Sequence, residues 1–370
     1  MKTLMKRVSV AGAALFFLAA CGTSSKTSQV SDSIAPGTLA VNPPFRIASL
    51  NAAAFGAQLA ASLTGTELLG LAGAPACGVD FYYLKFWTVG ALATEATLSS
   101  GALMVPTGAG PCSGPRPMVL YAHGTHVNQA LNIADVTDTT NTEGILIAAM
   151  FAAHGYIVVA PNYAGYDIST LGYHPFLNAA QQSGEMMNIL TAARTALPGT
   201  LSSATSDGGR LFVTGYSEGG HVAMATQRAL QAAGATVTAA APMSGPYALE
   251  AFGDALFYGS VDPGSTEFAP LITTSYQHAY GNLYAATTDI YSTRYATGID
   301  TLLPSVTPIE TLYVGYVRRV SAAIDVELAL GYPPLSQGRR QRASRGGFRA
   351  VQRPDNFLRP LAVPDPSRRV

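Results

Sequence analysis

One segment of the chain has the composition that nucleophilic acyl chemistry needs, and it occurs once: Gly215-Tyr216-Ser217-Glu218-Gly219, followed by Gly220. A serine hydroxyl becomes a useful nucleophile when it stands at the tip of a turn so tight that its backbone is strained, and the residues two before and two after must then be small. Gly215 and Gly219 meet that demand. The turn should be fed by a strand, and Arg210 to Gly215 is an apolar run of that kind. It should open into a helix, and Glu218 to Ala233 has helical periodicity. A helix start beneath Ser217 offers free amides and a positive dipole end to a carbonyl oxygen gaining negative charge. The amide of Glu218, next after Ser217, is one such donor. A second is expected from an earlier strand end, where Tyr121-Ala122-His123-Gly124-Thr125 closes the apolar run Met118 to Ala122. There Gly124 permits a sharp turn, His123 and Gly124 support the loop, and the Thr125 amide is the donor.

The elements that must carry these residues alternate. Val79 to Val89 and Ala96 to Val105 are aromatic and β-branched runs. Thr142 to His154 reads as a helix closed by Gly155, and Tyr156 to Ala160 as a strand stopped by Pro161. Phe176 to Leu197 is helical in period, and Val237 to Ala241 is again strand-like. Strands separated by helices of ten or more residues predict an α/β fold, with a mainly parallel central sheet covered by helices on both faces. Residues 34–245 are assigned to this core. Residues 246–317, rich in Tyr, Ala and Thr without clear β runs, suit a helical cap over one sheet edge.

Through these residues, the stretch from about Cys77 to Tyr258 resembles the α/β-hydrolase superfamily, within it the bacterial esterase and lipase-like proteins related to fungal secretory lipases. Besides the Ser217 turn and His123-Gly124, the resemblance rests on Ala160-Pro161-Asn162-Tyr163-Ala164-Gly165-Tyr166, similar to a Pro-Asp-Tyr-x-Gly loop with Asn162 in place of Asp. It rests also on Gly172-Tyr173-His174-Pro175-Phe176-Leu177, similar to a Gly-x-His-Pro-Tyr-Leu segment that opens a helix. Asn162 can keep the turn hydrogen bonds an Asp would make. The resemblance implies the α/β-hydrolase fold, hydrolysis of a small-molecule acyl ester through an acyl-enzyme on Ser217, and no cofactor.

It also implies that an acid and then a histidine follow the nucleophile in the chain. Only His221 and His278 do. His221 lies one helical turn on, about 6 Å along the axis from the elbow, and reads as a packing residue. His278, in the cap region, is the remaining candidate base. Asp254, Asp289 and Asp300 are acids allowed by order alone, each also readable as a cap or turn residue. His123, His126, His154 and His174 precede Ser217 and read as loop, helix-end or turn residues. No His or Cys pair stands at metal-ligand spacing, so no metal site is expected. An inactive acyl-binding scaffold lacking the histidine is the alternative reading, and peptidase or acyltransferase chemistry on the same elbow is a third.

Composition sets the remaining bounds. Of 370 residues 48% are hydrophobic and 12% charged, with 22 basic and 22 acidic side chains, so no net field favours nucleic acid. Lys2, Lys6 and Arg7 precede the apolar run Val8 to Ala20, an export signal too short to span a bilayer. Its end, Leu18-Ala19-Ala20-Cys21, resembles a bacterial lipobox, which implies lipidation of Cys21, a tether over residues 21–33 and attachment to a membrane of the cell envelope. In an oxidising compartment Cys77 and Cys112 form a disulfide or remain two buried thiols. Oligomeric state is not legible. The tail, residues 318–370, breaks with everything before it: nine Arg fall between Arg339 and Arg369, among Pro354, Pro360, Pro364 and Pro366. It reads either as a solvated disordered tail or, preferably, as the result of a reading-frame change between about Tyr313 and Gln337.

Overall fold

The computed structural model describes residues 34–138, 140–200, 204–257 and 268–307. The signal segment, Cys21, the tether and the Arg-rich tail with its expected frame change lie outside the described residues.

Seven strands form one sheet: β1 (Phe45–Leu50), β2 (Gly78–Val89), β3 (Ala96–Thr107), β4 (Gly114–Ala122), β5 (Ile157–Pro161), β6 (Thr205–Tyr216) and β7 (Ala239–Met243). Their order is β1-β2-β3-β5-β4-β6-β7. The first four in that order pair antiparallel, whereas β5, β4, β6 and β7 pair in parallel. Helices α1 (Ala52–Ala60), α2 (Leu63–Ala72) and α3 (Thr142–Met150) cover one face, and α4 (Ala179–Ala196) and α5 (Glu218–Ala232) the other. The fold is the α/β-hydrolase fold.

Two-residue periodicity builds both cores. On β2, Val79 and Phe81 point to the side of Phe55, Leu59 and Ile147, while Tyr82, Leu84 and Phe86 point to the side of Met186, Ile189 and Val222. All of these are buried, each large apolar side chain contributing about 1.5–3 kcal/mol. Side-chain caps start the helices: Asn51, Ser62, Asn141 and Asn178 each accept a first-turn N–H.

Several boundaries differ from the sequence reading, for local reasons. The helix expected from Phe176 begins at Ala179, because Leu177 has φ 55° and Asn178 takes the N-cap. Phe176 and Leu177 instead join Leu249, Leu271, Ile272 and Tyr276 in a separate apolar cluster. The helix expected over Thr142 to His154 stops at Met150, followed by a 3₁₀ turn closed by Gly155 at φ 87°. Strand β1 and helices α1 and α2 had no counterpart in the reading. β1 is an edge strand without a clean inside-outside alternation.

The described part of residues 246–317 contains α6 (Leu249–Phe257), α7 (Ala269–Tyr280) and the short α8 (Thr293–Ala296). Its cluster packs on Phe176 and Leu177, and Ser305 pairs with the backbone of Val127 and Gln129. Cys77 and Cys112 are joined as a disulfide, with Cα atoms 5.4 Å apart. No helix among the described residues is long and apolar enough to cross a membrane.

Candidate active site

Ser217 sits between β6 and α5 with φ 57° and ψ −121°, a conformation that costs a non-glycine residue about 1–3 kcal/mol. The turn is held from both sides. The Ser217 N–H donates to Met243 O at the end of β7 (3.0 Å), and the Gly220 N–H donates to Ser217 O (2.9 Å). A Cβ on Gly215 would lie 2.4 Å from Gly219 O and 2.5 Å from Ala122 O, and one on Gly219 only 2.0 Å from Ala122 O. The glycines are thus required by the approach of α5 to β4 as much as by the turn itself. Gly245 was missed: its Cβ would stand 2.5 Å from His221 N, and the Ser244-Gly245-Pro246 turn was the available signal.

β4 and β6 run in parallel with Ala122 opposite Gly215. Their carboxyl ends therefore release His123-Gly124-Thr125 and Tyr216-Ser217-Glu218 side by side, where parallel sheets place ligands. Gly124 lies against the turn, a Cβ built on it falling 3.5 Å from Tyr216 O and 3.9 Å from Ser217 Cβ. Among the described residues, neither the Thr125 N–H nor the Glu218 N–H donates to a protein acceptor. The Gly124 N–H, in contrast, is taken by Glu143 Oε1 (3.0 Å), which also accepts from Tyr121 Oη (2.7 Å). Glu143 carried no signal in the sequence beyond its place in the first turn of α3. Burial, with the Glu143 charge beside it, pushes the Tyr121 hydroxyl far up, so it stays a donor.

The Pro161 to Tyr166 loop fixes the loop that carries Thr125. Tyr163 Oη donates to His123 O (3.2 Å) and Tyr166 Oη to His126 O, and both rings are buried. The His123 ring lies on Tyr163 with centroids 4.1 Å apart. Asn162 explains its own departure from Asp. Its Oδ1 accepts from Ile133 N (2.8 Å), and its Nδ2 donates to Ser100 Oγ (2.9 Å), which itself donates to Asp167 (2.5 Å).

Beneath the elbow lies a second buried network. Glu218 Oε1 accepts from His174 Nε2 (2.8 Å) and Gln182 Nε2 (2.6 Å), with both the His174 and Glu218 side chains fully buried. His174 Nδ1 faces Ala164 O (2.8 Å). Burial opposes ionisation of Glu218, yet the His174 charge and hydrogen bonds hold its carboxyl below the usual range. Glu185, also buried, accepts from Ser99, Ala164 N and Gln181, and desolvation leaves its carboxyl above the usual range despite those bonds.

All six histidines of the sequence fall among the described residues, and no ring nitrogen of any of them is hydrogen-bonded to Ser217; only the His221 backbone N–H donates to Ser217 O (3.3 Å), at the start of α5. His221 is buried one turn into α5 with Nδ1 toward Pro246 O (3.3 Å), and burial pushes its imidazole down. His278, at the end of α7, stacks on Tyr173 with centroids 3.6 Å apart, and its Nδ1 stands 3.9 Å from Glu95 Oε1. His126 Nδ1 accepts from Asn128 N (3.1 Å), and His154 closes the 3₁₀ turn after α3. Asp289 caps its own turn by accepting from the Ala285 and Ala286 amides. Asp254 lies in α6 and Asp300 in a 3₁₀ turn. Among the described residues no group of three or more His, Cys, Asp or Glu is placed to hold a metal ion.

No family model matches the chain, and no curated protein does. Solved structures do. A ligand-bound form of LipA, the rice cell wall degrading esterase of Xanthomonas oryzae, is similar at 25% identity and TM-score 0.70, over 86% of this chain and 78% of that one. Another structure of the same esterase is similar at 26% identity and TM-score 0.70, over 88% and 80%. A Legionella pneumophila protein at 20% identity and TM-score 0.65, over 84% and 76%, shares the fold. The chain has the α/β-hydrolase fold, and two solved structures of the Xanthomonas oryzae esterase are similar to it at 25–26% identity.

Proposed function

We propose that the chain hydrolyses carboxylic esters, with Ser217 as the nucleophile and the amides of Thr125 and Glu218 as the oxyanion donors. The observation that carries this reading is the strained Ser217 turn flanked by two unengaged N–H groups at the ends of adjacent parallel strands. Attack of Ser217 Oγ on the ester carbonyl forms a tetrahedral adduct whose oxygen those amides receive. Collapse expels the alcohol, and water then releases the acid. The similarity to an esterase supports the same class of bond. Lipid or other acyl esters are the substrate class, and attachment through Cys21 in the cell envelope belongs to the same reading. Palmitate labelling that survives Cys21→Ser would overturn that attachment.

Chain order leaves His278 as the base, and its present partners are Tyr173 and Glu95. Turnover through it requires the end of α7 to leave that stack. Because no histidine ring among the described residues is hydrogen-bonded to Ser217, a second reading is an acyl-binding scaffold without turnover. Hydrolysis of 4-nitrophenyl esters of graded chain length decides between them. The first reading expects turnover that is lost in Ser217→Ala and in His278→Ala. Folded protein that binds the esters without releasing nitrophenolate supports the second.

A further inference from the structure

His174, in the segment Gly172 to Leu177, has no part in the reading above, yet its ring lies 2.8 Å from the side chain of the oxyanion residue Glu218. Glu218 is the first residue of α5, so its backbone N–H is one of the amides left without an intrahelical partner, while its side chain runs into the core between α4 and the loop after β5. The carboxylate there is unevenly served. Oε1 receives both donors, His174 Nε2 and Gln182 Nε2, whereas Oε2 is buried with no hydrogen-bond partner. His174 has an acceptor at each nitrogen, Glu218 Oε1 and Ala164 O, each at 2.8 Å, an arrangement satisfied by a proton on both. Tyr166 and Tyr163 pack on its ring with centroids 4.8 and 5.6 Å away, so the imidazole has one orientation available.

Resting on the esterase reading, we propose that His174 is a positioning residue for the oxyanion site. Its imidazolium anchors the Glu218 side chain, which fixes the direction of the Glu218 N–H. It also cancels a buried negative charge directly behind the place where the carbonyl oxygen becomes negative. Both effects act at the transition state more than on the bound ester, because the oxygen carries its charge only there. The same link explains why a helix-opening segment on one side of the sheet contains a histidine whose ring is wholly buried.

The test is steady-state hydrolysis of a short 4-nitrophenyl ester, with the rate of Ser217 labelling by a fluorophosphonate measured in parallel. His174→Ala leaves the Glu218 carboxylate with Gln182 alone. Its kcat and labelling rate are expected to fall about 100-fold, the scale of losing one oxyanion donor, with KM changed less than about threefold. Adding Glu218→Gln removes the uncompensated charge and restores at least about tenfold of kcat, although neither side chain reaches the substrate. A purely structural role would instead lower the melting temperature and leave kcat, measured well below it, within about threefold of the parent. That result overturns the proposal. Should His174→Ala not fold, His174→Gln carries the test, since it keeps an N–H donor on the side chain and removes the positive charge beside Oε1. There kcat is expected to drop about tenfold at unchanged KM, and kcat equal to the parent's overturns the proposal. A parent that neither turns over nor labels overturns the esterase reading itself and this proposal with it.

Discussion

Gly219→Ala should separate the two halves of the site. The added methyl would stand 2.0 Å from Ala122 O, 2.6 Å from Ala122 C and 2.7 Å from His123 O, all of them backbone atoms of β4 and the loop that follows. None can rotate away, so reaching van der Waals distance requires α5 and β4 to part by more than about 1 Å. Overpacking of this kind costs about 1–3 kcal/mol. In a domain of this size that lowers the melting temperature by about 2–10 °C. The functional effect should exceed the structural one. The displacement opens the gap between Thr125 and Ser217, and a misplacement of about 1 Å at a reacting centre costs on the order of 100-fold in rate. Fluorophosphonate labelling and 4-nitrophenyl ester hydrolysis, run well below the melting temperature, read that loss. Gly184→Ala is the control: Gly184 lies within α4 with nothing within 4 Å of its added Cβ, and the change should stabilise by about 0.5–1 kcal/mol without altering rates. Unchanged melting and labelling for Gly219→Ala would refute the close approach of α5 to β4.

Other perturbations address the scaffold. Replacing Cys77 and Cys112 with Ala releases a loop of sequence separation 35, which the chain-entropy model values at about 4 kcal/mol; denaturant titration should show that loss, and an unchanged midpoint would contradict it. His221 has its pKa lowered by burial, so the unfolded chain binds its proton first as pH falls. Stability should therefore decline below about pH 6.5, by up to about 1.4 kcal/mol per pH unit from this residue, until the folded-state pKa is reached. In His221→Gln the slope over that window should flatten, as measured by urea unfolding. Asn162→Asp puts a carboxylate against Ser100 Oγ, whose proton is already given to Asp167. A loss of about 1–3 kcal/mol is expected at neutral pH, recovering as the pH is lowered and the buried carboxyl takes a proton. A loss independent of pH would contradict the hydrogen-bond assignment.

The parts of the fold that were legible in the sequence are those where pattern and position agree. The strand, glycine turn and helix around Ser217 are written in consecutive residues, as is the strand ending at His123-Gly124. The Cys77–Cys112 pairing was open in the sequence, and the structure closes it. What was not legible depends on contacts between distant segments. Glu143 reaches Gly124 across 19 residues, and His174 meets Glu218 across 44. No periodicity marks either. β1 was missed because an edge strand lacks the alternation of a half-buried one. The beginning of α4 was misplaced because Leu177, apolar and in helical register, is drawn into the cluster beneath α7.

On the esterase reading, the Ser217 hydroxyl reacts with acyl-type electrophiles. Treating folded protein with a fluorophosphonate and mapping the adduct by peptide mass spectrometry tests it most directly. One adduct per chain is expected on the peptide containing Ser217, absent in Ser217→Ala. Folded protein that takes no label, or takes it on another residue, would contradict it.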